Sequence, residues 1–316
     1  MDHVYTYTSP TLQKSQYDPT HTLILRNKFS DRFSAKMRKL RGVLRETLIE
    51  RDCFGLIFLA NQQADFSPSG RGEFAYPNDN EKIAYFLAWL KQQLNAEIID
   101  RLGFVRITRD SWTNLYLRQA YERGVRQARQ ELKKLKIEVP DVDEIDALLN
   151  TEPHKSNLES LHQRMINELE GFIADISHRI GRVLSDSFSK GHSPYMILDR
   201  INKGLIQGED RQELGLTLLF GKFVAFEQRT DMIARSEIVR NVAEAALEEY
   251  GIWGIEEVGM EVELSWTTAG DLRVCSYCRM KSQQGPYKIS EAKGLLPAHV
   301  RCRCMWLPVR KKIRKE

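Results

Sequence analysis

Four of the chain's five cysteines lie between Cys275 and Cys304, and this cluster constrains the fold more strongly than any other feature. Cys275 and Cys278 have C-x2-C spacing, which lets two thiolates from one turn face a single tetrahedral ion at about 2.3 Å. Further along the chain, His299, Cys302 and Cys304 form the pattern H-x2-C-x-C. The segment therefore predicts a structural zinc site, which would stabilise a module too small to be stable through its core alone.

Five candidate ligands compete for the four positions of a closed structural zinc site. If Cys302 and Cys304 lie on one strand, their side chains share a face and both reach the metal. Otherwise His299 takes one position and one cysteine remains in the core. Two other interpretations stay open, namely reduced buried cysteines without metal and a disulfide formed under some conditions.

The pattern around the cysteines does not match known catalytic metal sites. A zinc deaminase carries His-x-Glu before Pro-Cys-x-x-Cys, whereas here the C-x2-C pair precedes the histidine and no His-x-Glu occurs. A cysteine nucleophile would need a separate histidine and a third orienting group. His162 and His178 lie on a long predicted helix and are interpreted as solvent-facing or capped polar residues. The sequence therefore predicts no catalytic residues and a protein that is not an enzyme.

Most of the chain before the cluster has helical periodicity. Residues 23–62, 81–102 and 111–136 are predicted to be helical, and the clearest helix begins near Ser156. There the Ser156 hydroxyl and the Glu159 carboxylate form a predicted capping box. Apolar residues then recur in steps of three and four, at Leu158, Leu161, Met165, Leu169, Phe172, Ile176, Ile180 and Val183. This stripe is interpreted as the core of its own bundle, and a partner helix in another subunit is the alternative.

The end of this helix and the start of the next are marked by specific residues. Gly191 ends the long helix, and Ser193 followed by Pro194 begins a short helix that runs to about Lys203. A further helix ends at Gly251. After it, "VGMEVELSWTT" alternates apolar and polar residues as a half-buried strand does. The tripeptide "AGD" at 269–271 predicts a turn, and "CRCMWLPV" predicts a final strand.

These patterns predict a mainly α protein. An elongated helical N-terminal body would precede a C-terminal α+β module stapled by the zinc site. The predicted boundaries are a flexible arm at 1–22, a helical region at 23–150, a second region at 151–308 and a basic tail at 309–316. Within the second region, helices occupy 153–251 and the zinc-stapled end occupies about 225–308.

Charge and hydropathy restrict the location of the chain. The formal net charge is +4 and the pI is near 8.7, which permits an acidic partner without requiring one. The longest apolar run, "CFGLIFLA" at 53–60, is too short to cross a bilayer. The N-terminus lacks the basic start and apolar core of a signal peptide. The clustered cysteines fit thiolates kept reduced in a cytoplasm, so we predict no membrane partner.

Two groups of basic residues are candidates for contact with DNA. The tail offers phosphate contacts whose affinity would fall steeply with salt, and the alternative is a solvated end; its members are Arg310, Lys311, Lys312, Arg314 and Lys315. The second group lies on the helix predicted at 111–136. Its cations spread around the circumference and alternate with Glu122 and Glu131, which favours a solvated face over a dedicated DNA surface.

Several short motifs occur in a recognisable order. They are Ala-Arg-Ser-Glu at 234–237, Trp266 before the turn, Asp271-Leu-Arg-Val-Cys-x-x-Cys and His299-x-x-Cys-Arg-Cys. With the long helix before them, they make residues 150–308 similar to the phage Mu F-like head morphogenesis family, the minor head proteins of tailed bacteriophages. Val300 departs from the family's usual proline. The first 150 residues show no assignable motif and are interpreted as the phage-specific part.

The resemblance implies a minor capsid protein that acts in head morphogenesis. Such a protein is made in the host cytoplasm and lies in the virion, in few copies, near the portal vertex. The implied partners are the portal protein, other capsid or scaffolding proteins and, non-specifically, phage DNA. The resemblance carries over the five candidate zinc ligands and no catalytic residue. Arg235 and Glu237 are expected to tie a helix to the strand hairpin, Trp266 to cover the metal cluster, and Asp271 to serve the same structural motif.

Two other functions compete with this interpretation. A zinc-containing nuclease or toxin enzyme would need a His-Asn-His-like or acidic metal-binding constellation, which the sequence does not display. A cellular zinc-dependent DNA-binding protein would bind specific duplex sequences at moderate salt, whereas a head protein would bind DNA weakly and with strong salt dependence.

Overall fold

The computed structural model describes residues 18–57, 72–99, 111–203, 226–256 and 262–310, and these are mostly helical. The helices are α1 (Leu23–Arg45), α2 (Asp79–Leu94), α3 (Trp112–Lys134), α4 (Ile145–Leu149), α5 (His154–Ser189), α6 (Pro194–Asn202), α7 (Phe226–Gly251), α8 (Ser276–Gln284) and α9 (Ile289–Ala292). Strands β1 (Val262–Thr267) and β2 (Met305–Arg310) form a small sheet. Three π-helical turns, Glu46–Glu50, Asn95–Ile99 and Ile252–Glu256, extend α1, α2 and α7. The predicted mainly α fold is confirmed.

The chain forms two compact units, and neither is continuous in sequence. The terminal unit comprises Met1–Arg26, Leu117–Glu159 and Ser236–Glu316, and the central unit comprises Asn27–Tyr116 and Ser160–Arg235. This division differs from the sequential boundaries predicted at residues 23, 150 and 308. The difference arises because contacts between helices far apart in sequence, which a sequence pattern does not report, decide which residues pack together.

The ends of the long helix α5 were predicted with mixed success. Gly191 adopts a left-handed φ of +63° just after the helix, as a C-terminal glycine does. The predicted capping box of Ser156 and Glu159 is wrong, because the helix begins two residues earlier, at His154. Proline at 153 lacks an N–H group, so it fits a helix start where that group would have no intrahelical partner. Ser156 therefore lies inside the first turn.

The start of α6 follows its sequence signal. Ser193 has an extended backbone, and its side chain accepts a hydrogen bond from the backbone N–H of Met196. Pro194 occupies the first helical position, where its fixed φ suits the helix. The predicted cap followed by proline is confirmed.

The apolar stripe of α5 is buried within the chain itself. Its members from Leu161 to Val183 in the central unit are all buried, and Phe172 is fully buried. The Phe172 ring meets Phe33 of α1 edge to face, with ring centroids 5.5 Å apart. A second group of rings surrounds Phe86, which packs edge to face against Phe74 at 5.5 Å. The stripe therefore forms the core of its own helical bundle.

In the terminal unit, α3 and α7 approach each other closely at Gly124. A Cβ atom at position 124 would lie 2.6 Å from the backbone oxygen of Val242 and 2.7 Å from the Cβ of Ala245. Real Cβ atoms do not tolerate such distances, so only glycine allows this helix crossing. The close approach positions the C-terminal half of α7 that leads into the strand pair.

We expect Gly124→Ala to lower the free energy of unfolding by about 1–3 kcal/mol, because the two backbones must separate to admit the methyl group. Gly171→Ala is the matched control. Gly171 also lies in the middle of a helix, α5, but a Cβ atom there would meet no other atom within 4 Å. Alanine at position 171 should leave stability unchanged or raise it by up to about 1 kcal/mol. Urea unfolding measures the free energy of unfolding of both variants. Equal values for Gly124→Ala and Gly171→Ala would contradict the inferred close contact.

The last elements form a C-terminal module, defined here as residues 262–310. Strands β1 and β2 pair antiparallel with Trp266 opposite Trp306, and the two indole rings meet edge to face at 5.2 Å. Both tryptophans are buried. Tyr287 extends the sheet, since it exchanges two backbone hydrogen bonds with Leu264. The predicted strands are confirmed at these positions.

Helix α7 joins this module through two polar contacts within the terminal unit, of which the first is buried. The Tyr250 hydroxyl donates to the backbone oxygen of Trp306 at 3.2 Å. Burial raises the pKa of the Tyr250 hydroxyl well above its usual value, so the group remains a donor. A Glu244 carboxylate oxygen accepts from the backbone N–H of Gly294 at 3.3 Å. The prediction that this helix is the first element of the α+β end agrees with these contacts.

The predicted flexible arm at 1–22 extends too far. Thr20 and Thr22 are buried, with their hydroxyl oxygens 2.7 Å apart. Asp18 forms an ion pair with the buried Arg26. The remainder of the arm, residues 1–17, lies outside the described residues. None of the helices in the described ranges combines the length and apolar character needed to cross a bilayer.

Candidate metal centre

The C-x2-C pair lies at the start of α8. Cys275 is the N-cap residue of that helix, with an extended backbone, and its sulfur accepts a hydrogen bond from the backbone N–H of Cys278 at 3.3 Å. Cys278 lies in the first turn and is buried. Helix N-termini favour thiolates because their N–H groups and dipole stabilise negative charge. The local fold therefore presents two sulfur atoms in a form suited to a cation.

His299 is oriented towards these sulfur atoms by a backbone contact. Its Nδ1 lies 2.8 Å from the Val300 backbone oxygen, and because a carbonyl oxygen only accepts, Nδ1 carries the proton. Nε2 faces the sulfur atoms of Cys275 at 3.2 Å and Cys278 at 3.1 Å. A metal-binding histidine commonly has its other ring nitrogen fixed in this way.

The five predicted ligands come together as two overlapping groups. The first contains Cys275, Cys278 and His299, and the second contains Cys278, Cys302 and Cys304. Within each group the ligand atoms lie within 4.8 Å of one another. Cys278 belongs to both groups and therefore occupies the centre of the cluster. These residues can hold a metal ion, as predicted.

Cys302 and Cys304 do not lie on the final strand. Strand β2 begins at Met305, so the condition that both cysteines share one strand is not met. Both side chains are nevertheless buried and reach Cys278. The turn from His299 to Cys302, closed by the 3.1 Å hydrogen bond from the Cys302 N–H to the His299 oxygen, brings them there. All five candidates therefore remain near one another.

Contacts between the sulfur atoms shift their protonation. Hydrogen bonds from the Cys278 and Cys304 thiols lower the pKa of Cys302, so that its thiolate is favoured. The interaction with Cys302 raises the pKa of Cys278, which keeps its proton in this arrangement. A metal ion would replace the shared protons, because metal ligation requires deprotonated cysteines.

Asp271 holds the segment before Cys275 against the segment between Cys302 and Cys304. Its two carboxylate oxygens accept from the Arg303 guanidinium at 2.6 and 2.8 Å, in a bidentate pair that fixes orientation as well as charge. Arg273 also donates to Asp271 through its backbone N–H and guanidinium. The Arg303 hydrogen bonds hold the pKa of the Asp271 carboxyl well below its usual range. The predicted structural role of Asp271 thus has a physical basis.

Trp266 and Arg235 of the helix motif at 234–237 have different surroundings. Trp266 is 1% exposed and contacts Tyr277 of α8, which lies two residues after Cys275. This location is consistent with the predicted cover over the metal cluster, which stays a prediction. Arg235 bonds to Asp231 at 2.6 Å and to Asn27 at 3.1 Å. Asn27 lies on α1, and a link from Arg235 to the strand hairpin stays a prediction.

Glu237 is buried at the start of the terminal unit's part of α7. One of its carboxylate oxygens accepts from the Arg240 guanidinium at 3.4 Å, and its backbone oxygen accepts from the Asn241 side chain at 2.8 Å. Arg240 and Asn241 both lie on α7 itself. A link from Glu237 to the strand hairpin stays a prediction.

Four of the six basic residues of α3 form ion pairs with acidic residues in the described part of the chain. The pairs are Arg118 with Glu122 and Asp146, Arg129 with Glu249, Lys133 with Asp141 and Lys134 with Glu131. Local neutralisation lowers the attraction that such a helix exerts on phosphates. The interpretation as a solvated face, rather than a DNA surface, agrees with the exposed pairs Lys133–Asp141 and Lys134–Glu131. In the tail, Lys311, Lys312, Arg314, Lys315 and the Arg310 side chain lie outside the described residues.

Sequence reasoning missed a buried polar network in the terminal unit. Arg129 and Glu249 form two hydrogen bonds, at 2.7 and 3.2 Å. The Glu249 carboxylate also lies 3.2 Å from Nε2 of His154, whose Nδ1 lies 3.2 Å from the Tyr121 hydroxyl. All four side chains are buried. No sequence signal marks this network, because its members come from three helices and Arg129 is 120 positions from Glu249.

The fold and the cluster together define a mainly α protein whose C-terminal α+β module can hold a metal ion. Comparison with the models of known protein families, with curated proteins and with solved structures finds no match.

Proposed function

We propose that the chain is a structural minor head protein of a tailed bacteriophage or prophage, acting in capsid assembly at or near the portal vertex. The proposal begins from the order of the motifs that resemble the Mu F-like head morphogenesis family. One structural observation supports it: the motif residues Trp266, Asp271 and Cys278 all serve to hold the C-terminal module together. Trp266 is buried in the core, and Asp271 forms a bidentate ion pair with Arg303. Cys278 lies at the centre of the ligand cluster. These features suit a structural role for the three residues.

We infer that the metal is zinc and that its role is structural. A set of four cysteines and one histidine is rich in soft sulfur ligands, which favour zinc over magnesium or calcium. Four of the five residues Cys275, Cys278, His299, Cys302 and Cys304 would coordinate the ion in a closed site. When bound, the metal supplies folding energy to the module, and the Asp271–Arg303 pair positions the two ligand segments.

The partners follow from the proposed role. The portal protein and other capsid or scaffolding proteins would contact the helical regions, and the virion interior would be the final location after assembly in the host cytoplasm. The basic tail would contact packaged DNA without sequence specificity. This contact would weaken steeply with salt, since it would depend on displaced counterions.

The test is quantitative mass spectrometry of purified, nuclease-treated particles from the phage or induced prophage that encodes the chain. We expect a few copies of this chain per portal vertex, measured relative to the major capsid protein. Empty precursor heads serve as the control for incorporation before DNA packaging. Absence from both kinds of particle would refute the proposal and favour a soluble nuclease, a toxin or a cellular DNA-binding protein.

A further inference from the structure

The C-terminal module carries a net positive charge. Residues 262–310 contain eight Lys or Arg and three Asp or Glu, which gives a formal net charge of +5. The other residues contain 39 basic and 40 acidic side chains, a net charge of −1. A divalent ion held by three thiolates and one histidine would remove about one unit of charge. The module therefore attracts polyanions although the whole chain is only mildly basic.

An aromatic ring is held at the surface of this module. Tyr277 is the second residue of α8 and is 45% exposed. The buried Trp266 packs against it edgewise, with ring centroids 6.3 Å apart and an interplanar angle of 77°. Because Trp266 is fixed in the core, the Tyr277 ring is oriented before any ligand arrives. A pre-oriented ring loses less conformational entropy when another ring stacks on it.

Apolar and cationic groups surround the ring on the same helix. Met280 and Lys281 follow Tyr277 at helical steps of three and four, so the three side chains share one face. Met280 is 44% exposed, and the Lys281 ammonium lies 5.8 Å from the centre of the Tyr277 ring. In the loop before α8, Leu272 is 99% exposed and is followed by the exposed Arg273.

We propose that Leu272, Tyr277, Met280 and Lys281 form a surface that binds unpaired bases of single-stranded nucleic acid, with the Tyr277 ring as the stacking platform. Proteins that bind single strands combine an exposed aromatic ring with positive charge that follows the backbone. Duplex DNA would use the charge but not the ring, because its bases are already stacked on each other. The surface does not depend on the proposed head function, and either proposal can fail alone.

The test is fluorescence anisotropy of the full-length, metal-bound protein with labelled oligo(dT), oligo(U) and a duplex of equal length. We expect single strands to bind at least about tenfold more tightly than the duplex. Tyr277→Ala should weaken single-strand binding by about 5- to 150-fold, the range found for one base–aromatic stack. Tyr277→Phe should retain it, since the ring remains. A preference between oligo(dT) and oligo(U) would show whether DNA or RNA is the better ligand, and either supports the proposal.

Tyr195→Ala is the matched control. Tyr195 is also the second residue of a nine-residue helix with a side-chain N-cap, and it is 64% exposed. The Tyr195→Ala protein should bind single strands with the affinity of the unmodified protein. Leu272→Ser tests the same surface at a side chain too exposed to affect folding, and it should weaken single-strand binding severalfold. Equal affinity for duplex and single strand, or equal affinity of Tyr277→Ala and Tyr195→Ala, would overturn the proposal.

Discussion

Replacing Cys278 with alanine is expected to abolish metal binding and to unfold the C-terminal module. Cys278 is the one residue common to both groups of ligand atoms, so its loss leaves neither group complete. A structural zinc ion contributes on the order of 10 kcal/mol to a small domain, which is comparable to the whole stability of a typical domain. Metal content by mass spectrometry should fall from one ion per chain to none. Trypsin should then cut at the exposed Arg279 of α8.

Cys53→Ala is the matched control, because Cys53 is also a buried free cysteine but belongs to neither group. Burial raises the pKa of the Cys53 thiol, so it remains neutral and is a poor ligand. The control variant should keep its metal and its resistance to trypsin. A Cys278→Ala protein that retains one ion per chain would contradict the assignment.

The same measurement identifies which four of the five candidate residues bind the metal. Single variants of Cys275, His299, Cys302 and Cys304 should divide into three that lose the metal and one that keeps it. A chelator should reproduce the loss in the unmodified protein, and added zinc should restore the fold.

Replacing Glu249 with alanine is expected to lower the free energy of unfolding by about 3–5 kcal/mol. Glu249 is fully buried and its carboxylate contacts both Arg129 and His154. Without it, the Arg129 guanidinium remains in the interior with its ion-pair partner removed. The cost is large because a buried charge loses its hydration without receiving an opposite charge in return. Urea unfolding followed by circular dichroism measures the change.

Two further variants test this explanation. Asp146→Ala removes a surface ion pair with Arg118, at 2.6 Å, and should cost less than about 1 kcal/mol. A double variant, Arg129→Met with Glu249→Met, should recover much of the lost stability, since buried ion pairs can be replaced by apolar residues of similar volume. Comparable losses for Glu249→Ala and Asp146→Ala would show that the buried network contributes no more than a surface pair.

The helices and strands were largely predictable because their signals are local. The stripe on α5 repeats at the period of a helix, and Gly191 and Ser193 mark the ends of neighbouring helices through their own backbone and side-chain chemistry. The alternation before Trp266 similarly predicted β1. The start of α5 was not predicted correctly, because Ser156 and Glu159 match the sequence pattern of a capping box. The helix nevertheless begins earlier, at His154, directly after Pro153.

The ligand cluster was predictable because residues only a few positions apart in the sequence must lie close together in the fold. Cys275 and Cys278 are three positions apart, so they lie on one turn in any fold of the remaining chain. His299, Cys302 and Cys304 are nearly as close in sequence. The contacts of Arg235 were not predictable, since its partner Asn27 is 208 positions away. The same holds for the Asp271–Arg303 pair, which joins the two halves of the cluster across 32 positions.

The sequence by itself determined the helical character, the two terminal strands and the five candidate ligands, because each depends on residues within a few positions of one another. Only the tertiary structure decided the two discontinuous units, the glycine contact at position 124 and the buried Arg129–Glu249 network. These features depend on which distant segments meet. That choice is made by the burial of apolar faces, which resemble one another in sequence and are distinguished only when they pack.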